Sequence, residues 1–301
     1  MSSPSEVRPT GVIHDIGYRP YAGERLSEGA VAWSLFRTGV RNCFGLGRSG
    51  RSKVLPMGLL AVMLLPAVIL VAVLVQAREA LGLTGQIVPY SRYSVVTQVV
   101  ISVFVAAQAP ALISRDLRFR TITLYLARPL RRSTYVLVRM ASLLVAVFVL
   151  IAAPLLVLYV GGLLADLPPG RETKLFLGAL AGALLLAALL SGLAAIISAV
   201  TTRRGLAVAA IIVVLVVSYT AVAVVQGIAT EEGMSQLAQY AGLFSPYTLV
   251  DGVQVWLLGV EASSQAPPTG RLGALFALVA LLVVAGSVVA MLTRYQKATA
   301  I

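Results

Sequence analysis

Apolar residues along this chain are gathered into six long blocks, with charged residues confined to the segments between them. Each block is 19 to 26 residues long, and about 20 residues of helix cross the hydrocarbon core of a bilayer. None of the 36 Lys, Arg, Asp and Glu side chains falls inside a block. The pattern predicts an all-α membrane protein with six transmembrane helices, over 54–75, 95–113, 141–164, 175–200, 206–229 and 272–293.

Composition agrees with this prediction and excludes other classes of protein. Of the 301 residues, 58% are apolar and 12% are charged, whereas soluble domains average about 45–50% and about 25%. A transmembrane β-barrel has segments of about ten residues with alternating polarity. The unbroken apolar blocks are incompatible with that pattern.

The distribution of basic residues predicts the orientation of the chain. The N-terminal segment and every second segment after it hold 19 of the 24 Lys and Arg residues, and these are retained on the cytoplasmic side. We therefore expect a multi-pass protein of the plasma membrane with both termini in the cytoplasm. Residues 1–53 form a cytoplasmic segment and 54–301 the six-span domain. The net charge of +12 follows from this topology and from contact with anionic membrane lipid, with no nucleic-acid partner.

An amphipathic helix is predicted at about 27–45, immediately before the first span. Ser27 is a suitable N-cap residue. The residues after it place aromatic and apolar side chains on one side of the helix and polar side chains, including arginines, on the adjoining side. Such a helix lies in the plane of the lipid headgroups, although a helix packed on a cytoplasmic partner is the alternative. The apolar face comprises Trp33, Phe36, Val40 and Phe44.

The connection between the second and third spans, 114–139, is basic and also apolar. It contains seven Arg and one Asp, and a helix from Arg115 to about Arg128 is expected because Pro129 disfavours its continuation. An ordered basic element of this kind suggests a docking surface for another protein. Binding of anionic lipid alone is the alternative interpretation.

The last outer connection, 230–271, contains a second apolar run at 243–260. Pro246, Asp251, Gly252 and Gly259 interrupt that run, so it is too broken to span the membrane. Irregular backbone at membrane depth has to be buried in protein. We therefore expect a re-entrant segment that enters the outer leaflet and returns.

No catalytic or cofactor motif is expected to function in this chain. The glycines of 45–52 (GLGRSGRS) have nucleotide-loop spacing, but such a loop needs a preceding strand, and an amphipathic helix is predicted there. His14 and Cys43 are the only residues of their types, so neither a zinc cluster nor a catalytic triad is indicated. Proton-driven carriers keep ionisable residues within their spans. We therefore predict that the chain is not an enzyme, holds no cofactor and is not a proton-driven carrier.

A few polar residues lie inside the predicted spans and are candidates for a substrate path. Ser and Thr also bond back to their own helix, and Gln bonds to neighbouring helices, so a purely structural role is the alternative. In the fourth span, Gly178 and Gly182 allow close helix packing within or between subunits. The candidate path residues are Gln98, Ser102, Gln108, Ser218, Tyr219 and Gln226.

The arrangement and several local motifs resemble the ABC-2 type permeases of bacterial ABC transporters. The motif residues in the basic connection are 113–118 (ISRDLR), 124–130 (LYLARPL) and Tyr135. Residues 245–252 (SPYTLVDG) are similar to the segment before that family's last span. Residues 13–21 (IHDIGYRPY) resemble a subgroup found in actinobacteria.

The resemblance implies a function and a set of partners. The basic connection becomes a coupling helix that docks on a separate ABC ATPase subunit, which binds ATP and Mg²⁺. Two permeases, as a homodimer or with a related permease, would export a substrate. The mostly apolar spans favour a lipophilic or amphipathic drug, lipid or natural product over a highly charged solute. A membrane scaffold or sensor that recruits a cytoplasmic partner is the alternative. The implied docking residues are Asp116, Arg118, Thr121, Leu124, Tyr125, Arg128 and Pro129.

Overall fold

The computed structural model describes residues 23, 26–47, 49–81, 85–114, 130–201 and 203–298. Throughout these residues the regular structure is helical, and they contain no strand. The helices are α1 (Glu28–Cys43), α2 (Gly50–Leu81), α3 (Tyr90–Val96), α4 (Gln98–Leu112), α5 (Arg132–Leu164), α6 (Pro169–Val200), α7 (Arg204–Ile212), α8 (Ser218–Glu231), α9 (Ser235–Ala241), α10 (Pro246–Leu258) and α11 (Arg271–Ala298).

Within the described ranges, five helical segments are long and apolar enough to cross a membrane. They are α2, α5, α6, α11 and the segment that α7 and α8 form through a π-helical turn at Val213–Val217. Each contains one of the predicted spans. This composition suggests a multi-pass membrane protein, as the apolar blocks predict.

The predicted second span, 95–113, differs from a single helix. The structure has two helices there, α3 and α4, which meet at an angle of 62°. Thr97 lies at the junction, and its Oγ1 donates a hydrogen bond of 2.8 Å to the carbonyl of Tyr93. Upstream, the Tyr93 hydroxyl donates to the carbonyl of Met63 in α2. The bond from Tyr93 holds α3 against α2, and α4 continues in a different direction.

The centre of the bundle is formed by α5 and α6. In their most apolar stretches 44% and 56% of the residues are buried, against 17% for α2 and for the α7–α8 segment. Leu143, Leu150 and Leu190 are fully buried at this centre. The peripheral helices therefore present long apolar surfaces, which a soluble monomer rarely exposes.

Helix α1 lies against the first turns of α5. Ser27 caps it as expected, because its Oγ accepts a hydrogen bond of 3.4 Å from the amide of Ala30. Gly39 faces Ser142 of α5, and an added Cβ would lie 2.7 Å from the Ser142 Cβ. The absence of a side chain at Gly39 is thus what allows the two helices to approach so closely.

The segment predicted to be re-entrant contains two short helices joined by a 3₁₀ turn at Gly242–Phe244. Helices α9 and α10 have 7 and 13 residues, fewer than a span requires. The hydroxyl of Thr248 donates a hydrogen bond of 2.7 Å to the carbonyl of Gly242 and closes the turn. Helix α10 ends at Gly259, whose φ of +61° is the left-handed conformation that glycine adopts easily. The segment packs on α6 and α11.

Candidate functional site

The central part of the basic connection, 115–129, where the coupling helix is expected, lies outside the described residues. All seven implied docking residues, Asp116, Arg118, Thr121, Leu124, Tyr125, Arg128 and Pro129, lie there. The structure does describe the residues on either side of the connection. They are held by specific contacts.

At the C-terminal end of this connection, Glu28 of α1 provides the anchor. Its Oε1 accepts hydrogen bonds from the amide of Arg131 at 3.1 Å and from the hydroxyl of Thr134 at 2.8 Å. The Arg131 guanidinium also lies 3.6 Å from Oε2. The hydrogen bond from Thr134, followed by that from Arg131, lowers the pKa of the Glu28 carboxyl. Helix α1 is thus joined to the start of α5 by an ionised side chain.

The N-terminal end of the connection meets the last helix of the chain. The hydroxyl of Tyr295, in α11, donates to the carbonyl of Ile113 at 3.4 Å. The rings of Tyr295 and Tyr135 lie 6.1 Å apart, and the guanidinium of Arg139 lies 5.3 Å from the centre of the Tyr135 ring. One end of the bundle therefore brings together α1, the end of α4, the start of α5 and the end of α11.

The predicted apolar face of α1 is divided between two environments. Phe44 is buried and its ring lies 5.7 Å from that of Phe104 in α4, while Phe36 and Val40 are half-buried. Trp33 is 63% exposed and stacks on Phe36 with a centroid distance of 5.3 Å. An exposed Trp of this kind fits a position among lipid headgroups.

Three of the candidate path residues meet around Tyr247 of α10. The Tyr247 hydroxyl lies 2.8 Å from the hydroxyl of Ser102 and donates to the backbone carbonyl of Gln98 at 3.0 Å. The ring of Tyr219 lies 6.1 Å from that of Tyr247, edge to face. The buried Oε1 of Gln98 has no hydrogen-bond partner among the described residues. This tyrosine cluster joins α4, α8 and α10 in the interior.

The other three candidates lie outside the tyrosine cluster. The hydroxyl of Ser218 bonds back to the carbonyl of Leu215 at 3.3 Å, as in the structural alternative. Gln226 is buried, and its Nε2 donates to the carbonyl of Ala238 at 3.0 Å, which joins α8 to α9. Gln108 is buried further along α4.

Two polar residues of α10 belong to this interior and were not among the sequence candidates. Asp251 is buried, and its carboxylate accepts from the amides of Ser263 and Ser264, each at 2.9 Å. Gln254 packs where Gly182 of α6 lacks a side chain. With Ser91 and Ser94 of α3 they line a small cavity of about 10 Å³. The spacing of Gly178 and Gly182 indicated close packing, but α10 could not be identified as the partner.

A second polar cluster lies at the opposite end of the bundle, where α3 begins, α5 ends and α6 begins. Tyr90 donates to Oε2 of Glu172 at 2.6 Å, and Gln86 donates to the same oxygen at 3.2 Å. Gln86 Nε2 also lies 3.4 Å from the carbonyl of Leu158. Glu172 is 1% exposed. We call Gln86, Tyr90 and Glu172 the glutamate cluster.

The described part of the chain contains no group of three or more His, Cys, Asp or Glu that could hold a metal ion. No model of a known protein family matches the chain, and no curated protein matches it in sequence. The five long apolar helices among the described residues suggest one class of protein, a helical multi-pass membrane protein.

Proposed function

We propose that this chain is the transmembrane permease subunit of an ATP-driven ABC exporter in the plasma membrane. It would work as a pair of permeases with two ABC ATPase subunits and move a lipophilic or amphipathic substrate outward. The motifs at 113–118, 124–130 and 245–252 support the family. ATP and Mg²⁺ would bind in the partner subunit and not in this chain.

The observation that carries the proposal is the anchoring of the basic connection at both ends. Tyr295 donates to the carbonyl of Ile113, just before the connection, and Glu28 accepts from Arg131 and Thr134 in its C-terminal part. A force applied to this connection would therefore reach α1, α4, α5 and α11 together. A coupling element needs this property, since it transmits movement of the ATPase to the membrane helices.

The positions of the connections support a six-span topology with cytoplasmic termini. If α3 and α4 count as one bent span, the chain crosses six times and returns to its starting side. The basic connection and the end of α11 then share the cytoplasmic side with α1. The glutamate cluster and the α9–α10 segment lie on the outer side.

In the proposed mechanism, ATP binding closes the ATPase pair and draws the two coupling helices together. The linked ends of α4 and α5 follow, and the interior beside the tyrosine cluster changes from inward to outward opening. Substrate would pass along α4 and α8, which combine apolar residues with the hydroxyls of Ser102 and Tyr219. This combination suits an amphipathic molecule better than a highly charged one.

Copurification is the first experiment. The tagged chain is expressed from its native operon and extracted in mild detergent, and its partners are identified by mass spectrometry. We expect an ABC ATPase at equal stoichiometry. A permease that purifies alone, and adds no activity to candidate ATPases, would favour the scaffold alternative.

Charge reversal in the basic connection is the sharper test. Arg118→Glu or Arg128→Glu is expected to reduce substrate-stimulated ATP hydrolysis at least tenfold in the reconstituted complex, because like charges across an interface are strongly unfavourable. Arg204→Glu is the matched control, since this exposed residue begins α7 and is not part of the basic connection. Equal hydrolysis in all three variants would contradict the assignment.

A further inference from the structure

A cavity of about 390 Å³ opens beside the glutamate cluster. Its lining includes Gln86, Tyr90, Arg171, Glu172, Leu175 and Glu261. Sites for small ligands have volumes of roughly 300–1,000 Å³ and combine apolar walls with a few polar groups. This cavity has both properties, and the candidate substrate path does not include it.

Glu172 is held in the cavity wall by two hydrogen bonds. Tyr90 and Gln86 both donate to its Oε2, which fixes the position of the carboxyl group in the wall. Glu172 also lies in the first turn of α6, where the helix dipole favours a negative charge.

These neutral donors do not cancel the charge of Glu172. Among the described residues, no Lys or Arg forms an ion pair with it. The other charged residues of the lining are Arg171 and Glu261, which are both exposed and of opposite sign. Glu172 is consequently the one buried acidic side chain in the lining, and a carboxylate in a buried site attracts a cation more strongly than an exposed one does.

The remaining wall of the cavity is suited to an apolar group. Leu175 and Pro89 line it, and the ring of Tyr90 is fixed edge to face against Phe176 at 6.2 Å. Gly162 of α5 leaves room for Gln86, because a side chain there would collide with Gln86 Nε2. An anionic group thus lies beside a rigid apolar surface.

We propose that this cavity binds an amphipathic organic monocation, with a primary ammonium group on Glu172 and an apolar body against Leu175 and Tyr90. The binding requires neither ATP nor an ATPase partner. In the proposed topology the site opens on the outer side. Its presence would be compatible with a transporter or with a sensor.

The test measures binding of dansylcadaverine, a fluorescent primary amine, to the purified full-length chain in detergent. We expect saturable binding, and N-acetyl-dansylcadaverine, which lacks the charge, should bind at least about tenfold more weakly. Glu172→Gln should produce a similar loss for the amine and little change for the acetylated probe. Glu232→Gln removes an exposed carboxylate outside the cavity and should bind as the unaltered protein does.

A second variant covers the case in which Glu172→Gln does not fold. Leu175→Trp retains the carboxylate and fills the cavity, so it should weaken both probes. The proposal is overturned if the unaltered chain shows no saturable binding or if the two probes bind equally. It is also overturned if Glu172→Gln folds and binds the amine unchanged. None of these results would alter the expected copurification with an ATPase.

Discussion

The contact between α6 and α10 depends on the absence of a side chain at Gly182. A Cβ at this position would overlap the Gln254 side chain as far back as Cγ, which would lie 2.9 Å away. The adjacent cavity of about 10 Å³ is too small to receive the displaced amide. Gly182→Ala should therefore force α10 away from α6.

The loss of stability expected for Gly182→Ala is the cost of placing an extra methyl group in a filled interior. One extra methyl group in a close-packed interior costs about 1–3 kcal/mol, which corresponds to a fall of several degrees in the unfolding temperature. At Gly178 an added Cβ would lie 3.1 Å from the end of the Leu258 side chain, so Gly178→Ala should cost less. Gly286 in α11 has open space around it, and Gly286→Ala should be neutral or slightly stabilising.

The assay is thermal unfolding in detergent, monitored by intrinsic fluorescence and by gel filtration. Gln254→Ala removes all the overlapping atoms, so Gly182→Ala/Gln254→Ala should be at least as stable as Gln254→Ala alone. The coupling energy between the two substitutions should then be at least as large as the loss of stability caused by Gly182→Ala alone. If the two single losses add to within about 0.5 kcal/mol, or if Gly286→Ala is as damaging, the packing argument is refuted.

Three further predictions concern the Glu28 anchor, the topology and the tyrosine cluster. Because the folded pKa of Glu28 lies below its usual 4.5, its stabilising effect is complete above that pH. The effect is lost as the pH falls through the pKa of Glu28 in the folded protein. Glu28→Gln should therefore make the free energy of unfolding less dependent on pH in the acid range. In a Cys43→Ala background, Glu232→Cys should react with an impermeant maleimide in intact cells, and Lys297→Cys only after lysis. Tyr247→Phe should cost about 1 kcal/mol of stability, since its buried hydroxyl bonds are lost, and Tyr240→Phe at the half-exposed position of α9 should cost less.

Hydropathy was sufficient to locate most of the long helices, because an apolar block of about 20 residues has few alternatives to a membrane span. It could not place their ends. Helix α5 begins at Arg132 and not near 141, because Arg forms helices about as well as Leu does and Tyr only slightly less well. The break at Thr97 was also missed, because it depends on Tyr93 being fixed to Met63, 30 residues away in sequence.

The composition of the candidate site was only partly predictable. Gln98, Ser102 and Tyr219 were recognisable as polar positions in apolar spans, and the structure brings them together. Their common partner, Tyr247, is 145 residues from Ser102, and a periodicity within one helix carries no information about which helix faces it. Glu172 was passed over because it precedes the apolar block, although the burial of a helix's first turn depends on its neighbours.

The bend between α3 and α4 determines which residues lie between the glutamate cluster and the tyrosine cluster. Ser91, in α3, lines both the cavity at the glutamate cluster and the small cavity beside Asp251 and Gln254, and Tyr247 lines the latter as well. Polar positions therefore continue from the end of the bundle to the tyrosine cluster along one face of α3. A straight helix through 90–112 would carry α3 in the direction of α4 and away from this path. The 62° turn at Thr97 instead holds α3 against α6 and α10, where Ser91 and Ser94 line the small cavity.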